Sequence, residues 1–213
     1  MIDHYKWRQR FPSDNVVSKE LVENLNTTYQ SKAKVSVEIH RNGIESARIN
    51  WFLANINGRI LDIGCADGVI LFEAARRGFE IVGVDIVDAC LERAKEFLSK
   101  ESEEVRNKIS IQKAWSEELP FFDMSFNTVV LAETLEHVSD PIKTLQEAHR
   151  VLINGGKILI SVPNGDSFFP SHFRHYNREE ILKQVGKYFN CSVDDNVITK
   201  RWQFIKGKKE SKE

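Results

Sequence analysis

From Arg59 onward the sequence alternates between short apolar runs and amphipathic ones, and that alternation restricts the fold more than any other feature. "RILDI" reads as a strand, "VILFEAARRG" as a helix closed by Gly78, and "EIVGVDI" as a second strand. "VDACLERAKEFLSK" reads as a helix whose apolar set is Ala89, Leu91, Ala94 and Leu98, and "SEEVRNK" as a solvated charge run. "ISIQKA" and "FNTVVLAE" are strands. Asp140-Pro141 then opens a helix, an N-cap followed by proline in the first turn, which runs to about Leu152 and breaks at "NGG". "KILISVP" is a strand, "REEILKQVGKYF" a helix, and "CSVDDNVI" and "RWQFIKG" are β-like runs. Strands separated by helices must be joined by crossovers. The expected fold class is therefore α/β, a Rossmann-like, seven-stranded, mostly parallel sheet with helices on both faces. The last two strands follow each other closely and should pair antiparallel, giving the sheet an antiparallel C-terminal edge.

The segment before Arg59 reads as helical and polar. In "VEIHRNGIESARINWFLANI" the residues Ile44, Ala47, Ile49, Trp51, Phe52 and Ile56 fall near one helical face, and Asn57-Gly58 stops the helix. The expected organisation is a helical cap over residues 1–57 that contributes to an active-site lid, a core domain over 58–206, and a disordered basic tail over 207–213.

A chain of 213 residues suits one domain with a sizeable core. Its formal net charge of −1 lacks the basic footprint of nucleic-acid binders, which argues against a nucleic-acid partner. Cys65, Cys90 and Cys191 are far apart and form no CxxC pair, which argues against a disulfide framework or a structural zinc. A reduced, cytoplasmic setting is expected. The opening "MIDHYKWRQRF" has no apolar core of a signal peptide, and no apolar run is long enough to span a bilayer.

The chemistry begins at "RILDIGCADGVI", a strand, a glycine turn and the start of a helix. Such a turn brings backbone N–H groups close to a ligand. A P-loop would need Gly-Lys-Ser/Thr, but Gly68 is followed by Val69 and Ile70. A dinucleotide fingerprint would need G-x-G-x-x-G, whereas here the pattern is Asp62-x-Gly64-x-Ala66-x-Gly68. The carboxylate of Asp62 would repel a pyrophosphate and tolerate a ligand with a cationic amine. Asp85 ends the next strand, where a carboxylate can accept both hydroxyls of a ribose.

At this point the order of motifs becomes informative. "LDIGCADG", "VGVDI", "SEELPFFDMSFNTVVLAETLEHVSDP" and "EAHRVLINGGKILISVPN" resemble the successive motifs of class I S-adenosylmethionine-dependent methyltransferases, in particular the small-molecule group that includes the ubiquinone-biosynthesis O-methyltransferases. The resemblance spans about Arg59 to Val185. It implies S-adenosyl-L-methionine as methyl donor and S-adenosyl-L-homocysteine as product. Asp62 would orient the methionine end, Gly64, Cys65, Ala66 and Gly68 would form the bend beneath the ligand, Asp85 would take the ribose and Ile86 would flank the adenine. Two positions depart from the pattern. Ala66 replaces the middle glycine, a small change if its φ is negative. Trp115 stands where the family often has an acid for the adenine amino group; it would stack on the adenine or belong to the core, leaving Ser116 and Glu117 for the amino contact.

The fourth strand leads into "AETLEHVSDP", which puts Ala132, Glu133 and Thr134 beside the methyl donor, with Glu136 and His137 further towards the acceptor. The long loop "PNGDSFFPSHFRHYNREE" brings His172 and His175 towards the same crevice. Three readings stand open. The first takes Glu136-His137 as a loop fastener. His137 or a lid histidine, with Glu136 and His175 as further catalytic candidates, would serve as general base, since a neutral imidazole with an ordinary pKa of ~6.5 suits that task. Or Glu133, Glu136, His137 and His172 would hold a divalent metal, as in metal-dependent relatives such as small-RNA 3′-terminal 2′-O-methyltransferases. Trp7, Phe11, Phe168, Phe169, Phe173 and Tyr176 would close the pocket or pack beneath it, and Arg174 and Arg178 would either meet an anionic acceptor or stand as solvated lid cations.

The expected reaction is in-line displacement at the sulfonium methyl group, for which alignment matters most. The expected partner is a small-molecule acceptor methylated at oxygen, by a monomer or homodimer. The rivals are an RNA or protein methyltransferase with a basic rim from Lys6, Arg8, Arg10, Lys206, Lys208 and Lys209, a cofactor-binding regulator without catalysis, and a nicotinamide oxidoreductase.

Overall fold

The computed structural model describes residues 16–32, 44–164, 172–195 and 201–211. Its sheet comprises β1 (Ile60–Ile63), β2 (Ile81–Asp85), β3 (Ile109–Lys113), β4 (Phe126–Ala132), β5 (Leu152–Pro163), β6 (Asn190–Val193) and β7 (Trp202–Lys208). The order across the sheet is β3-β2-β1-β4-β5-β7-β6. The first five strands are parallel, and β7 runs antiparallel to both β5 and β6. The C-terminal strand thus inserts between β5 and β6, and the antiparallel pairing forms that end of the sheet as expected.

The helices are α1 (Lys19–Lys32), α2 (Ile44–Asn55), α3 (Val69–Arg76), α4 (Asp88–Ser99), α5 (Glu103–Arg106), α6 (Pro141–Val151) and α7 (Arg178–Val185). Period-two alternation in the strands divides the core into two layers. Leu61 and Ile63 of β1 join Leu145 and Ala148 of α6 and Ile181 of α7 on one face. Ile60 joins Trp51 and Phe52 of α2 and Leu71 of α3 on the other. Asp62, two residues from Ile60, shares the α2 side. Two helix starts follow the capping chemistry: Asp140 accepts from the N–H groups of Ile142 and Lys143, and Asn177 forms a capping box with Glu180.

Several local readings change. The run "SEEVRNK" contains α5, because Ser102 caps it by accepting from the Val105 N–H and Val105 is buried. One apolar residue was too little to show against five charges or amides. Ala47 is exposed, whereas Ile49, Trp51, Phe52 and Ile56 are buried. The "NGG" stretch is part of β5, which follows α6 directly, with Gly155 at φ 75. The disordered tail does not begin at residue 207. Gly207 and Lys208 complete β7, and the Lys209 ammonium is buried, donating to the His149 and Leu152 carbonyls at 2.8 and 2.7 Å. Those carbonyls lie at the C-terminal end of α6, where a cation satisfies unpaired acceptors. No described helix is long and apolar enough to cross a membrane.

Candidate active site

The strand order reverses at β1, since the chain proceeds outward to β2 and β3 and then returns to β4 on the other side. In such sheets the ligand crevice lies outside the carboxyl ends of the strands at that reversal. A cavity of about 260 Å³ lies there. Gly64 and Ala66 of the bend, Asp85, Ile86 and Val87 after β2, Trp115 after β3, and Ala132, Glu133 and His137 after β4 all line it.

The bend is built as the spacing requires. Gly64 and Gly68 have φ 76 and 86, a left-handed conformation that glycine adopts without penalty. A Cβ on Gly64 would meet the Thr134 side chain at 2.7 Å, and Thr134 is fixed by donating its hydroxyl to the Ile63 carbonyl. Ala66 departs from expectation: its φ is 46, positive rather than negative. The conformation is held because the Ala66 N–H donates to Asp85 Oδ2 at 2.9 Å. An L-residue there costs about 1–2 kcal/mol. Ala66→Gly is therefore expected to stabilise the protein, by about 0.5–1 kcal/mol after the extra freedom glycine gives the unfolded chain. A urea midpoint that rises with an unchanged slope would show it; a fall would mean that the bend stores no strain.

Asp85 is the hub of the site. Its Oδ1 accepts from the Val87 N–H at 2.9 Å while Oδ2 holds the bend. Burial raises its pKa, and the N–H donors of Val87, Ala66 and Ile86 oppose that rise. Asp62 lies behind it, buried, with Oδ1 lacking any hydrogen-bond partner. Its pKa is pushed up to about 7, first by burial and then by Asp85, with Arg48 opposing. Arg48, on α2, also lines the cavity. Sequence reading passed over it because an arginine on an amphipathic helix is ordinarily solvated; only the packing of α2 beside Asp62 sets it apart. Cys65 is turned away, its Sγ lying 2.9 Å from the Cβ position of Gly83, and Gly68 serves as the N-cap of α3.

Ser116 and Glu117 line the cavity, but their side chains are engaged. The Ser116 hydroxyl donates to Glu117 Oε2 and contacts Thr144 Oγ1, and Glu117 Oε1 accepts from the Asp140 N–H. They fasten the start of α6, a task that already engages both Glu117 oxygens and the Ser116 hydroxyl. Trp115 is half-buried and, like Ile86, packs against the cluster that holds Val22 of α1, and Lys19 Nζ lies 4.7 Å from its ring centroid.

The acidic and histidine cluster is rearranged relative to expectation. Glu133 has φ 57, and its carboxylate accepts from Ser161 Oγ at 3.1 Å and Trp202 Nε1 at 2.9 Å. Those bonds hold it outside the group of Glu136, His137 and His172, whose ligand atoms lie within 4.8 Å of one another. Glu136 is buried, neither of its oxygens has a hydrogen-bond partner, and burial followed by Glu133 raises its pKa well above the carboxylate range. The His172 ring meets that of His137 edge-on at 4.7 Å. His175 stands behind His172, ring centroids 5.9 Å apart, and is not among the lining residues described.

Arg174 does not serve an acceptor. It is buried and donates to the carbonyls of Leu135, Val138 and Ser139, clamping the loop after β4. Arg178 pairs with Asp195 on the surface. Phe173 packs on Val17 and Val22, and Tyr176 belongs to the core. Trp7, Phe11, Phe168 and Phe169, together with Lys6, Arg8 and Arg10, lie outside the described residues.

A tight bend, an acid at the end of β2 and a buried carboxylate near this switch point form an arrangement similar to the cofactor crevice of class I S-adenosylmethionine-dependent methyltransferases. Residues 61–160 match the family described as a methyltransferase domain. The chain is 31% identical over 140 residues to the ubiquinone/menaquinone biosynthesis C-methyltransferase UbiE of Geotalea daltonii, covering 63% of this chain and 58% of that protein. It is 32% identical over 124 residues to the ubiquinone biosynthesis O-methyltransferase of Pseudomonas aeruginosa, covering 57% and 52%. The chain thus spans little more than half the length of these relatives. Among solved structures, the [4+2]-cyclase SpnF superposes with a TM-score of 0.74 at 14% identity, covering 93% of this chain and 99% of that one. The Bacillus subtilis YcgJ protein superposes at 0.65 and 18% identity, covering 77% and 98%. At such identities the likeness shows the fold, and a fold shared with a cyclase does not by itself fix the reaction.

Proposed function

We propose that this protein transfers the methyl group of S-adenosylmethionine to a hydroxyl of a small molecule. The observation that carries the reading is Asp85: one carboxylate ties the bend to the end of β2 and borders the cavity, a place suited to accept ribose hydroxyls. The Arg48 guanidinium fits the methionine carboxylate, and Asp62 the methionine ammonium. Trp115 and Ile86 supply the apolar walls of the adenine slot. The names of the relatives support a small acceptor, and the near-neutral charge of the chain gives no support to an RNA substrate.

The donor is activated by its own positive charge, so the chain's main contribution is to align acceptor oxygen, methyl carbon and sulfur and to exclude water. His137, at the cavity wall, accepts the acceptor's proton as general base. A second reading is favoured by Glu136. A buried carboxylate with no hydrogen-bond partner, its Oε1 4.0 Å from His137 Nε2, is beside two imidazoles a donor set that suits a divalent ion, so Glu136, His137 and His172 would hold one. Such an ion, when bound, acidifies a coordinated hydroxyl. Its ligands here omit Glu133, contrary to the set expected from sequence.

Incubating the protein with methyl-labelled donor and cell lysate tests the proposal. Label is expected in the small-molecule fraction; label in RNA or protein would overturn the acceptor assignment. In the same assay EDTA is expected to cut the rate about tenfold if the ion is used, with recovery on adding a divalent metal. An unchanged rate in EDTA leaves His137 as the base.

A further inference from the structure

Asn26 of α1 lines the same cavity as Ile86, Val87 and Trp115. We infer that Asn26 reads the adenine edge of the cofactor, its side-chain carbonyl accepting from the exocyclic amine. The inference rests on the cavity being the S-adenosylmethionine site.

Three observations lead to it. First, the side chains expected to take the amine already fasten the start of α6, Glu117 holding the Ser116 hydroxyl and the Asp140 N–H. Trp115 offers a ring face and an N–H donor, and neither accepts a hydrogen bond from an amine. Second, α1 is fastened over this end of the cavity. The Val17 N–H donates to the Ser139 carbonyl, the Ser139 hydroxyl donates back to the Val17 carbonyl, and Glu23 lies 3.9 Å from Lys113. Third, Lys19, Val22 and Asn26 share one helical face by their spacing. Lys19 lies over the Trp115 ring, and Val22 belongs to the cluster against which Ile86 and Trp115 pack. Asn26 continues that face into the cavity, half-buried, with a carboxamide that makes no hydrogen bond within the described structure. An amide offers both an acceptor and a donor, which matches the adjacent amine and ring nitrogen of adenine. The cap helix therefore supplies the contact that the β3–β4 loop supplies in the usual pattern.

Calorimetry with S-adenosylhomocysteine and its purine analogue lacking the 6-amino group tests the assignment. The wild type is expected to bind S-adenosylhomocysteine about tenfold more tightly than the analogue. Asn26→Ala is expected to lose about that factor for S-adenosylhomocysteine and little for the analogue, and Asn26→Asp, which keeps an acceptor oxygen, to retain the preference for the amine. Equal losses for both ligands in Asn26→Ala, or a wild type that does not distinguish them, would overturn the assignment. If the wild type binds neither ligand, the cofactor reading itself falls, and this inference with it.

Discussion

Asp85→Ala is expected to weaken S-adenosylhomocysteine binding by about two to three orders of magnitude. Two effects add. The ribose loses an ionised acceptor, and hydrogen bonds to a charged group are worth about 1.5–3 kcal/mol each. The bend also loses its anchor, because Asp85 Oδ2 is what the Ala66 N–H donates to. With that bond gone, the positive φ of Ala66 loses the contact that offsets it, and this part of the loop can relax away from the ligand. The second effect separates this site from a carboxylate that merely touches a sugar. Asp85→Asn keeps an acceptor for Ala66 and is expected to lose less affinity than alanine. Calorimetric titration of the two variants would check the order, and near wild-type affinity in Asp85→Ala would remove the ribose assignment.

How much of this was legible beforehand follows from the range of each interaction. The strands and the glycine bend were readable because period-two burial and positive φ leave marks within a few residues: "RILDI" is β1 extended by one residue, and Gly64 and Gly68 have the left-handed backbone their spacing suggested. Asp140-Pro141 opened a helix for the same local reason. What failed was decided across the fold. The φ of Ala66 is set by Asp85, nineteen positions on. Glu133 was drawn out of the proposed ligand set by Trp202, sixty-nine positions away, and Lys209 was drawn into the structure by carbonyls of α6. Arg174 looked like a solvated lid cation, yet three backbone carbonyls of the loop after β4 enclose it. No short-range pattern encodes such partners. Arg48 and Asn26 belong to the same category, since a polar residue on a cap helix acquires meaning only when the helix is placed over a cavity.

The affinity for S-adenosylhomocysteine is expected to rise steeply with pH up to about neutrality and then to level off, with Asp62 as the cause. In the free protein burial and the neighbouring Asp85 raise the Asp62 pKa to about 7. The folded state thus holds a proton that the unfolded chain, with an ordinary carboxylate, gives up several pH units lower. Between those two values the folded state binds more protons, so its stability falls as pH rises through this window. A ligand bearing a cationic amine reverses the preference, since it stabilises the ionised carboxylate whose Oδ1 is otherwise unpartnered. Binding below neutrality must then expel the proton, and affinity should change about tenfold per pH unit there, or about a hundredfold between pH 5 and 7. Calorimetry at pH 6 in buffers of different ionisation enthalpy should record close to one proton released per ligand, and close to none well above neutrality. Asp62→Asn should bind weakly but without this slope. A wild-type affinity that is flat from pH 5 to 8 would mean that Asp62 keeps one protonation state throughout, and that the charge meeting the methionine end comes from elsewhere.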